Sequence, residues 1–256
     1  MPSPAELFDL TGKVAVVTGG SRGIGRSVSF ALAAAGAEVV VASRKLENCE
    51  TTAAEITEAT GRRAVPMAVN VSHWEQCDQL VENVYTEFGH CDVLINNAGL
   101  SPLYPDLVSV TEELYDKTHA VNAKGPFRLA TLVGTRMFAG DGGSIINVST
   151  AGSWRPDEHD LPYAMAKAGL NAMTLGLAGA FNPKVRVNTV LPGPFETDIT
   201  KAWGEGTIDM VNQSNPMRRI GQPEDMAGVC VFLASDASSY VNGAQILCDG
   251  GAFRTL

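Results

Sequence analysis

The chain alternates short runs of aliphatic, mostly β-branched residues with longer segments that have helical periodicity. Most of the short runs lack the apolar/polar alternation of a strand with one solvated face, which indicates strands covered on both sides. The predicted strands are Lys13–Thr18, Glu38–Ala42, Ala64–Val69, Val93–Asn96, Ser144–Ser149, Val185–Val190 and Gln245–Cys248. The predicted helices are Arg22–Ala35, Leu46–Ala59, Trp74–Phe88, Glu112–Met137, Tyr163–Ala180 and Pro223–Ala234.

This strand–helix rhythm predicts a single α/β domain over residues 1–256, because no repeat or linker divides the chain. Since crossovers between parallel strands are right-handed, we expect a doubly wound parallel sheet with helices on both faces. Local signals mark several helix ends. Ser72 has capping-box spacing to Glu75, and Gly61 and Gly89 follow helical stretches as C-terminal caps do.

Composition and charge narrow the range of partners. The formal net charge is −9, with only 19 lysines and arginines and no basic run, so we expect no nucleic-acid partner. No run approaches the roughly 18 apolar residues of a membrane span, and Glu6 and Asp9 stand where a leader would be basic, which predicts a cytoplasmic protein without membrane association. The five cysteines are odd in number and lack C-x-x-C spacing, so we expect them to be reduced and to bind no metal.

A glycine-rich segment, Thr18–Gly25, follows the first predicted strand and leads directly into a helix. Glycines at this place permit a tight turn and a close approach of the backbone to a pyrophosphate, whose charge the N–H groups of the helix N-terminus then face. The alternative is a glycine-rich turn with no ligand, which the position after the first strand of an α/β pattern disfavours. The predicted cofactor-binding residues are Gly19, Ser21, Arg22, Gly23, Ile24 and Gly25.

The end of the second predicted strand selects between dinucleotide cofactors. An acidic residue there would bond the ribose 2′-hydroxyl, whereas an arginine would accept a 2′-phosphate. The sequence has Ser43, Arg44 and Lys45 at this point and no carboxylate, and Arg22 projects into the same neighbourhood. NADP(H) is therefore favoured over NAD(H), with Ser43 and Arg44 as cofactor-binding residues. The alternative is that Arg44 and Lys45 are solvated charges at a helix start, where a cation without a counter-anion is mildly unfavourable.

A phenol and an ammonium group lie four residues apart at Tyr163 and Lys167. On a helix this spacing puts both side chains on one face, one turn apart. A nearby ammonium favours phenolate and should lower the tyrosine pKa from about 10, giving a group that can exchange a proton with a substrate oxygen. Taken alone, the Y-x-x-x-K pattern is weak, since exposed helical pairs with this spacing are common.

Several motifs together resemble the short-chain dehydrogenase/reductase family, and specifically a 3-oxoacyl reductase-like member, from Lys13 to Gly251. In family order they are Thr18–Gly25, Asn96–Gly99, Asn122 within Val121–Ala123, Ile145–Thr150, Tyr163 with Lys167, and Pro192–Gly193. The resemblance implies a Rossmann-type sheet of seven parallel strands in the order 3-2-1-4-5-6-7. It also implies an enzyme that interconverts a ketone and a secondary alcohol by hydride transfer with NADP(H).

The resemblance assigns catalytic roles to individual residues. Tyr163 would be the general acid/base, and Lys167 would lower its pKa and bind the nicotinamide ribose. Asn122 would interrupt a long helix and hold a water that links Lys167 to solvent. Family members generally have a serine 13 residues before the tyrosine, and here that position is Thr150, one residue after Ser149. An ungapped alignment favours Thr150 as the hydroxyl that orients the substrate carbonyl, and anchoring on the following glycine favours Ser149, so both stay open.

Further cofactor contacts are implied by the same resemblance. They are Asn70 and Val71 at the adenine, Asn97, Ala98 and Gly99 along the cofactor, and Pro192, Gly193 and Thr197 at the nicotinamide. Asn70 stands where the family usually has aspartate, but it retains a carbonyl acceptor for the adenine amino group.

The segment Phe195–Asn215 resembles the mobile substrate lid of the family. Its short length predicts a small or medium carbonyl or alcohol substrate. Trp154, Phe195 and Trp203 either enclose this substrate or form ordinary core packing. The resemblance also implies a homotetramer.

Two alternatives remain for the function. One is a sensor or scaffold that binds NADP(H) without turnover, which the joint presence of Asn122, Tyr163 and Lys167 disfavours. The other is an NAD-dependent sugar or alcohol dehydrogenase of the same family. The four histidines show no metal-ligand spacing, and we expect them at the surface or in loops. They are His73, His90, His119 and His159. We expect His159 to border the substrate.

Overall fold

One parallel sheet organises the molecule. The computed structural model describes residues 2–197, 200 and 206–253. Within these residues a seven-stranded sheet has the order β3-β2-β1-β4-β5-β6-β7 with every neighbouring pair parallel, which confirms the predicted topology. The strands are β1 (Val14–Thr18), β2 (Glu38–Ser43), β3 (Ala64–Ala68), β4 (Val93–Asn96), β5 (Gly143–Val148), β6 (Val185–Pro192) and β7 (Gln245–Cys248).

Helices cover both faces of the sheet. They are α1 (Pro4–Leu7), α2 (Gly23–Ala34), α3 (Leu46–Thr60), α4 (Trp74–Phe88), α5 (Glu112–His119), α6 (Gly125–Ala139), α7 (Leu161–Ala180), α8 (Thr207–Ser214) and α9 (Ala227–Ala234). The bounds predicted for α2, α3, α4 and α7 agree within two residues. The helix predicted over Pro223–Ala234 starts instead with a 3-10 turn, Pro223–Met226, and α9 follows it. The sequence prediction missed α1 and α8, which are too short to show helical periodicity.

The apolar pattern of the strands explains this layering. Successive strand residues point to opposite faces, so Val16 belongs to one buried cluster and Val17 to another. The cluster with Val17 contains side chains of α2, α3 and α9, and the cluster with Val16 contains side chains of α4 and α6. A strand that is buried on both faces needs apolar residues at consecutive positions, which is why the alternation is missing from the sequence.

The long helix predicted over Glu112–Met137 is interrupted. A π-helical turn, Ala120–Lys124, separates α5 from α6. The Asn122 side chain lies in this turn and donates from Nδ2 to the carbonyl oxygens of Thr118 at 2.8 Å and Leu100 at 2.7 Å. Extra side-chain bonding of this kind commonly accompanies a π turn at a functional position. The interruption that the family resemblance implied is confirmed.

Other local predictions were less accurate. The capping box at Ser72 is wrong, because His73 is the N-cap of α4 and makes no side-chain capping bond. The Ser72 hydroxyl instead donates to Asn70 Oδ1 at 2.9 Å, a local loop contact that competes with helix capping. Gly61 and Gly89 end α3 and α4 in left-handed conformation, as predicted.

Two chemical features of the chain follow from the fold. Within the part of the chain that the structure describes, no helix combines the length and apolar character needed to cross a membrane. All five cysteines are free thiols, as expected, and four of them are buried. Burial raises the pKa of the Cys91 thiol to about 12, which leaves it protonated and unreactive at neutral pH.

Candidate active site

The glycine-rich turn joins β1 to α2 at the carboxyl edge of the sheet. Gly19 and Gly23 have φ angles of 66° and 50°, a region that glycine adopts without strain. A Cβ on Gly25 would lie 2.2 Å from the Gly19 carbonyl oxygen, so the helix can approach the turn this closely only with glycine. The turn therefore needs glycine for the close packing of its own backbone as well as for ligand access.

The N-terminus of α2 opens onto this turn. Arg22 is its N-cap residue, with extended backbone and no side-chain capping bond. Ile24 packs against the buried cluster under α2 and fixes the helix to the sheet. First-turn N–H groups that no side chain caps can bind an anion such as a pyrophosphate.

Asn97 holds the turn from the end of β4. Its Nδ2 group donates to the carbonyl oxygens of Thr18 at 3.0 Å and Gly19 at 3.3 Å. The Thr18 hydroxyl accepts the backbone N–H groups of Asn97 at 3.1 Å and Ala98 at 3.2 Å. Both side-chain donors of Asn97 are used within the protein, so the amide shapes the cofactor cleft, while Gly99 lies exposed beyond it.

A group of donors lies at the end of β2, where a 2′-phosphate was predicted. Ser21 Oγ lies 2.9 Å from Ser43 Oγ, and Ser43 Oγ lies 3.0 Å from the buried Cys49 Sγ. The Thr52 hydroxyl donates to the Ser21 carbonyl oxygen at 3.3 Å, so α3 holds both serines. Arg44 is exposed and pairs with no carboxylate of the described residues. Two hydroxyls and an unpaired guanidinium group are donors that fit a phosphate.

The predicted adenine contacts lie at the end of β3. Asn70 Oδ1 accepts from the backbone N–H of Ser72 at 3.2 Å and from its hydroxyl at 2.9 Å. The carbonyl acceptor expected for adenine therefore already has two partners within its own loop. Val71 is buried, and a Cβ on Gly125 would lie 2.2 Å from the Val71 carbonyl oxygen, so this loop packs directly on the start of α6.

Tyr163 and Lys167 lie on one face of α7, as their spacing predicted. The Lys167 ammonium nitrogen lies 5.7 Å from the centre of the Tyr163 ring. Lys167 is only 2% exposed, and its Nζ donates to the Val148 carbonyl oxygen at 2.7 Å. The carbonyl at the end of β5 is a partner that sequence reasoning missed, because a backbone acceptor leaves no residue-type signal.

The structure separates the two candidate hydroxyls. The Thr150 side chain lies beside the Tyr163 phenol, close enough to lower its pKa. Ser149 is buried, and its hydroxyl donates to the Lys167 carbonyl oxygen at 3.2 Å on the other side of the strand end. Thr150 is therefore the hydroxyl beside the phenol, and Ser149 binds α7 to β5.

The loop after β5 orients Thr150. Thr150 Oγ1 accepts from the Gly152 N–H at 3.2 Å, which leaves its own hydrogen available for donation. Ser153 Oγ donates to the Thr150 carbonyl oxygen at 2.7 Å, and Asn171 Nδ2 donates to Ser153 Oγ at 2.8 Å. Sequence reasoning missed Ser153 and Asn171; the available signal was the position of Asn171 one helical turn after Lys167.

The pKa of Tyr163 is shifted in the direction opposite to the one predicted. Burial raises the pKa of the Tyr163 phenol, the negative charge of Asp160 raises it further, and the hydrogen bond from Thr150 lowers it. Burial also lowers the pKa of Lys167 to about 7. The predicted lowering of the tyrosine pKa is therefore wrong for the chain alone, because loss of hydration opposes both the phenolate and the ammonium that was to stabilise it.

Asn122 connects the π turn to the loop after β4. Besides its two donated bonds, its Oδ1 accepts the Leu100 N–H at 3.1 Å. A Cβ on Gly99 would lie 3.3 Å from Asn122 Oδ1 and 3.9 Å from Lys167 Nζ, so Gly99 borders the space between these two groups. The structure thus brings Asn122 and Lys167 together, and the water relay stays a prediction.

The predicted nicotinamide contacts lie where β6 ends. Pro192 is the buried last residue of β6, and a Cβ on Gly193 would lie 2.7 Å from the Asp249 Cβ. The methyl carbon of Thr197 lies 3.7 Å from the ideal Cβ position of Gly23. The segment that follows β6 therefore reaches the glycine-rich turn, and the nicotinamide contacts stay predictions.

The predicted lid, Phe195–Asn215, is described in part and contains α8. Trp203 and Gly204 lie outside the described residues. Phe195 is 6% exposed and belongs to a buried cluster, so core packing accounts for it. Trp154 is 41% exposed and remains available to border a substrate. A moving lid stays a prediction.

The histidines are placed largely as expected. His73, His90 and His159 are exposed. His119 differs, because it ends α5 with its ring 4.3 Å from the Tyr115 ring, and its Nε2 is buried without a hydrogen-bond partner among the described residues. The helical pattern of α5 already covered His119, so its partial burial could have been anticipated.

Comparison with known proteins identifies the family. The family model described as enoyl-(acyl carrier protein) reductase matches residues 19–252. The 3-oxoacyl-[acyl-carrier-protein] reductase FabG of Thermotoga maritima is 37% identical over 243 residues, which cover 94% of this chain and 98% of that protein. The chain belongs to the short-chain dehydrogenase/reductase family and is an oxidoreductase of that family.

Solved structures agree with this assignment. A short-chain type dehydrogenase/reductase from Mycobacterium marinum superimposes with a TM-score of 0.93 at 31% identity, covering 99% of this chain and 100% of that chain. A gluconate 5-dehydrogenase from Burkholderia cenocepacia, in complex with NADP and tartrate, gives a TM-score of 0.93 at 30% identity with the same coverage. The predicted fold and enzyme class are confirmed.

Because Lys167 is buried, we expect its contribution to the free energy of unfolding to depend on pH. An unfolded chain keeps this lysine protonated up to its ordinary pKa of 10.5, whereas the folded chain releases the proton above about 7. Between these values the unfolded state binds more protons, so the contribution of Lys167 to stability rises with pH. We expect the free energy of unfolding of the wild type, minus that of Lys167→Met, to increase from pH 7 to pH 10 in urea titrations. A difference that stays flat or falls would contradict the burial of the ammonium.

Proposed function

We propose that this oxidoreductase interconverts a ketone and a secondary alcohol with NADP(H), using Tyr163 as the general acid/base. The observation that carries the proposal is the Tyr163 phenol on one face of α7 with the buried Lys167 and beside the Thr150 side chain. A site that only bound a dinucleotide would need no phenol, hydroxyl and ammonium group in this arrangement. This is why the sensor or scaffold alternative is the weaker one.

Each side chain has a defined task in the proposed reaction. Tyr163 gives its proton to the substrate oxygen during reduction and takes it back during oxidation. Thr150, whose hydroxyl accepts from Gly152, donates its own hydrogen toward that oxygen and polarises the carbonyl. Lys167 holds the nicotinamide ribose and favours the phenolate when it is charged, and Asn122 orders the loop beside it. NADP(H), when bound, supplies or accepts the hydride at the substrate carbon.

Arg44, Ser21 and Ser43 support NADP(H) over NAD(H). The guanidinium group of Arg44 is unpaired among the described residues, and the two hydroxyls lie beside the same strand end. The gluconate 5-dehydrogenase with a closely similar fold binds NADP. An NAD-dependent sugar or alcohol dehydrogenase is the second candidate, and the cofactor measurement below separates the two.

The remaining predictions are part of this proposal. Asn70 and Val71 contact the adenine, Asn97, Ala98 and Gly99 lie along the cofactor, and Pro192, Gly193 and Thr197 contact the nicotinamide. The protein is a cytoplasmic homotetramer that acts on a small or medium carbonyl compound. Exposed apolar side chains on α7, Met165 and Leu175, are available for burial between chains.

Loss of the phenol should stop the reaction. We expect Tyr163→Phe to lower turnover of a carbonyl-compound panel by about 10²–10⁴-fold, measured as NADPH consumption, because general acid catalysis is lost. NADPH binding, measured by nicotinamide fluorescence, should be retained. Tyr240→Phe is the control, since Tyr240 is fully exposed and has no part in the proposed reaction. Full activity of Tyr163→Phe would reject the proposal.

The two adjacent hydroxyls should differ in their effects. Thr150→Val preserves shape but removes the donor, and we expect kcat to fall by about 10²–10³-fold, as for loss of an oxyanion donor. Thr150→Ser should retain most of the activity. Ser149→Ala should leave kcat within a few-fold and lower the free energy of unfolding by about 1–3 kcal/mol, because the Lys167 carbonyl loses a buried donor. The reverse ranking would assign the role to Ser149.

Reversing the charge at Arg44 should change the cofactor preference. We expect the wild type to bind NADPH more tightly than NADH, and Arg44→Asp to erase or reverse this order by repelling the 2′-phosphate. Fluorescence titration with both cofactors measures the two dissociation constants. Arg62→Asp carries the same charge change at the far end of α3 and should leave the ratio unchanged. Equal affinities in the wild type would defeat the NADP(H) assignment.

A further inference from the structure

An acidic side chain lies beside Tyr163 and serves no evident structural purpose. Asp160 is the N-cap residue of α7, three residues before Tyr163, and it is half-buried. Aspartate at this position usually accepts an N–H of the first helical turn, but Asp160 makes no such bond. Its Oδ1 accepts the Asp157 N–H at 3.3 Å, and its Oδ2 has no hydrogen-bond partner among the described residues. One carboxylate oxygen is therefore available to a ligand.

This oxygen and the Thr150 hydroxyl border the same open space. A Cβ on Gly152 would lie 3.4 Å from Asp160 Oδ2 and 3.5 Å from Thr150 Oγ1. Because glycine has no side chain, none stands between these two oxygens at Gly152. Thr150 and Asp160 both lie close enough to the Tyr163 phenol to shift its pKa, so Asp160 lies near the position at which the proposed function puts the substrate oxygen.

The backbone on both sides of Asp160 is fastened to the loop after β4. The Tyr104 hydroxyl donates to the Glu158 carbonyl oxygen at 2.6 Å and accepts the Leu161 N–H at 2.9 Å. Asp160 lies between these two anchored residues. A carboxylate held in this way loses little conformational freedom when it binds a ligand, which favours affinity and selectivity.

The charges around Asp160 do not neutralise it. Burial is the main cause that raises its pKa. The hydrogen bond from the Asp157 N–H lowers the pKa, the Asp157 charge raises it, and the exposed His159 lowers it. No lysine or arginine of the described residues forms an ion pair with it. A partly desolvated carboxylate without a cation gains most from a ligand that brings a hydrogen-bond donor.

We propose that Asp160 binds a hydroxyl or ammonium group that the substrate carries next to its carbonyl carbon, so that the enzyme selects donor-bearing ketones over plain ones. The proposal rests on the proposed function, since it uses the same carbonyl position. It assigns the substrate class to one carboxylate that carries no proton in the proposed reaction and makes no side-chain capping bond to α7.

Three ketones of nearly equal shape test the selection. Butanone, hydroxyacetone and aminoacetone differ only in the methyl, hydroxyl or ammonium group on the carbon next to the carbonyl. We expect wild-type kcat/KM with NADPH to be about 10-fold or more higher for hydroxyacetone and aminoacetone than for butanone, the range of a charge-assisted hydrogen bond. Equal values for the three ketones would overturn the proposal.

Two variants and a control locate the effect. Asp160→Asn should abolish the preference for aminoacetone over butanone and reduce the preference for hydroxyacetone over butanone, each compared as a ratio at the same pH. Gly152→Ala leaves the charge in place but puts a methyl group into the shared space, and it should reduce both preferences. Glu158→Gln removes a charge from the same loop on a side chain that is 73% exposed, and both preferences should persist. A preference that survives in both Asp160→Asn and Gly152→Ala would overturn the proposal.

A second readout excludes a merely structural role. Removing the negative charge near Tyr163 should move the apparent pKa of the essential acid in the kcat/KM profile to lower pH in Asp160→Asn, whereas Glu158→Gln should leave it in place. An unchanged profile in Asp160→Asn would contradict the position of the carboxylate beside the phenol.

Ligand binding separates this inference from the proposed function. Calorimetry of the three ketones with the wild type and NADP⁺ measures selection without turnover. Selective binding without turnover of any ketone would support the role of Asp160 and reject the proposed reaction. Turnover with equal binding of the three compounds would retain the reaction and reject the role of Asp160.

Discussion

The crossing of α7 over the end of β5 depends on one buried contact, the bond from the Lys167 ammonium to the Val148 carbonyl oxygen. A second bond runs in the opposite sense, from the Ser149 hydroxyl to the Lys167 carbonyl oxygen. Together they fix the helix against two consecutive residues of the chain. Because Tyr163 lies one turn earlier on α7 and Thr150 follows Ser149 directly, this pair of bonds also brings phenol and hydroxyl into contact.

Three asparagine side chains around the candidate site bind to backbone or to the loops that carry the site, instead of facing outward. Asn97 fixes the glycine-rich turn, Asn122 fixes the loop after β4, and Asn171 fixes the Thr150 loop through Ser153. Asparagine suits this task because its amide offers donors and an acceptor without charge, so burial costs less than for a carboxylate. The cleft is thus shaped by neutral groups, and its ionisable ones are few.

Those ionisable groups share one physical property. Burial is the largest cause of shift for Tyr163, Lys167 and Asp160, and in each case it favours the neutral form. A charge that enters such a region is weakly screened and acts strongly on its neighbours. The pKa values of the site therefore depend on the charges of the molecules that it binds. A substrate group bound by Asp160 would change the charge beside Tyr163.

The sequence by itself determined the parallel α/β class, the glycine-rich turn, the Tyr163–Lys167 face and the residue types at Arg44, because these depend on periodicity, local backbone freedom and residue type. The order of the strands came from the family resemblance. The sequence left Ser149 and Thr150 open and gave the wrong direction for the tyrosine pKa. Only tertiary structure decided those points, since hydroxyl orientation depends on which strand end a helix crosses, and a pKa depends on how much water the fold removes. The free carboxylate oxygen of Asp160 was invisible for the same reason: an aspartate before a helix predicts a cap until the packing shows otherwise.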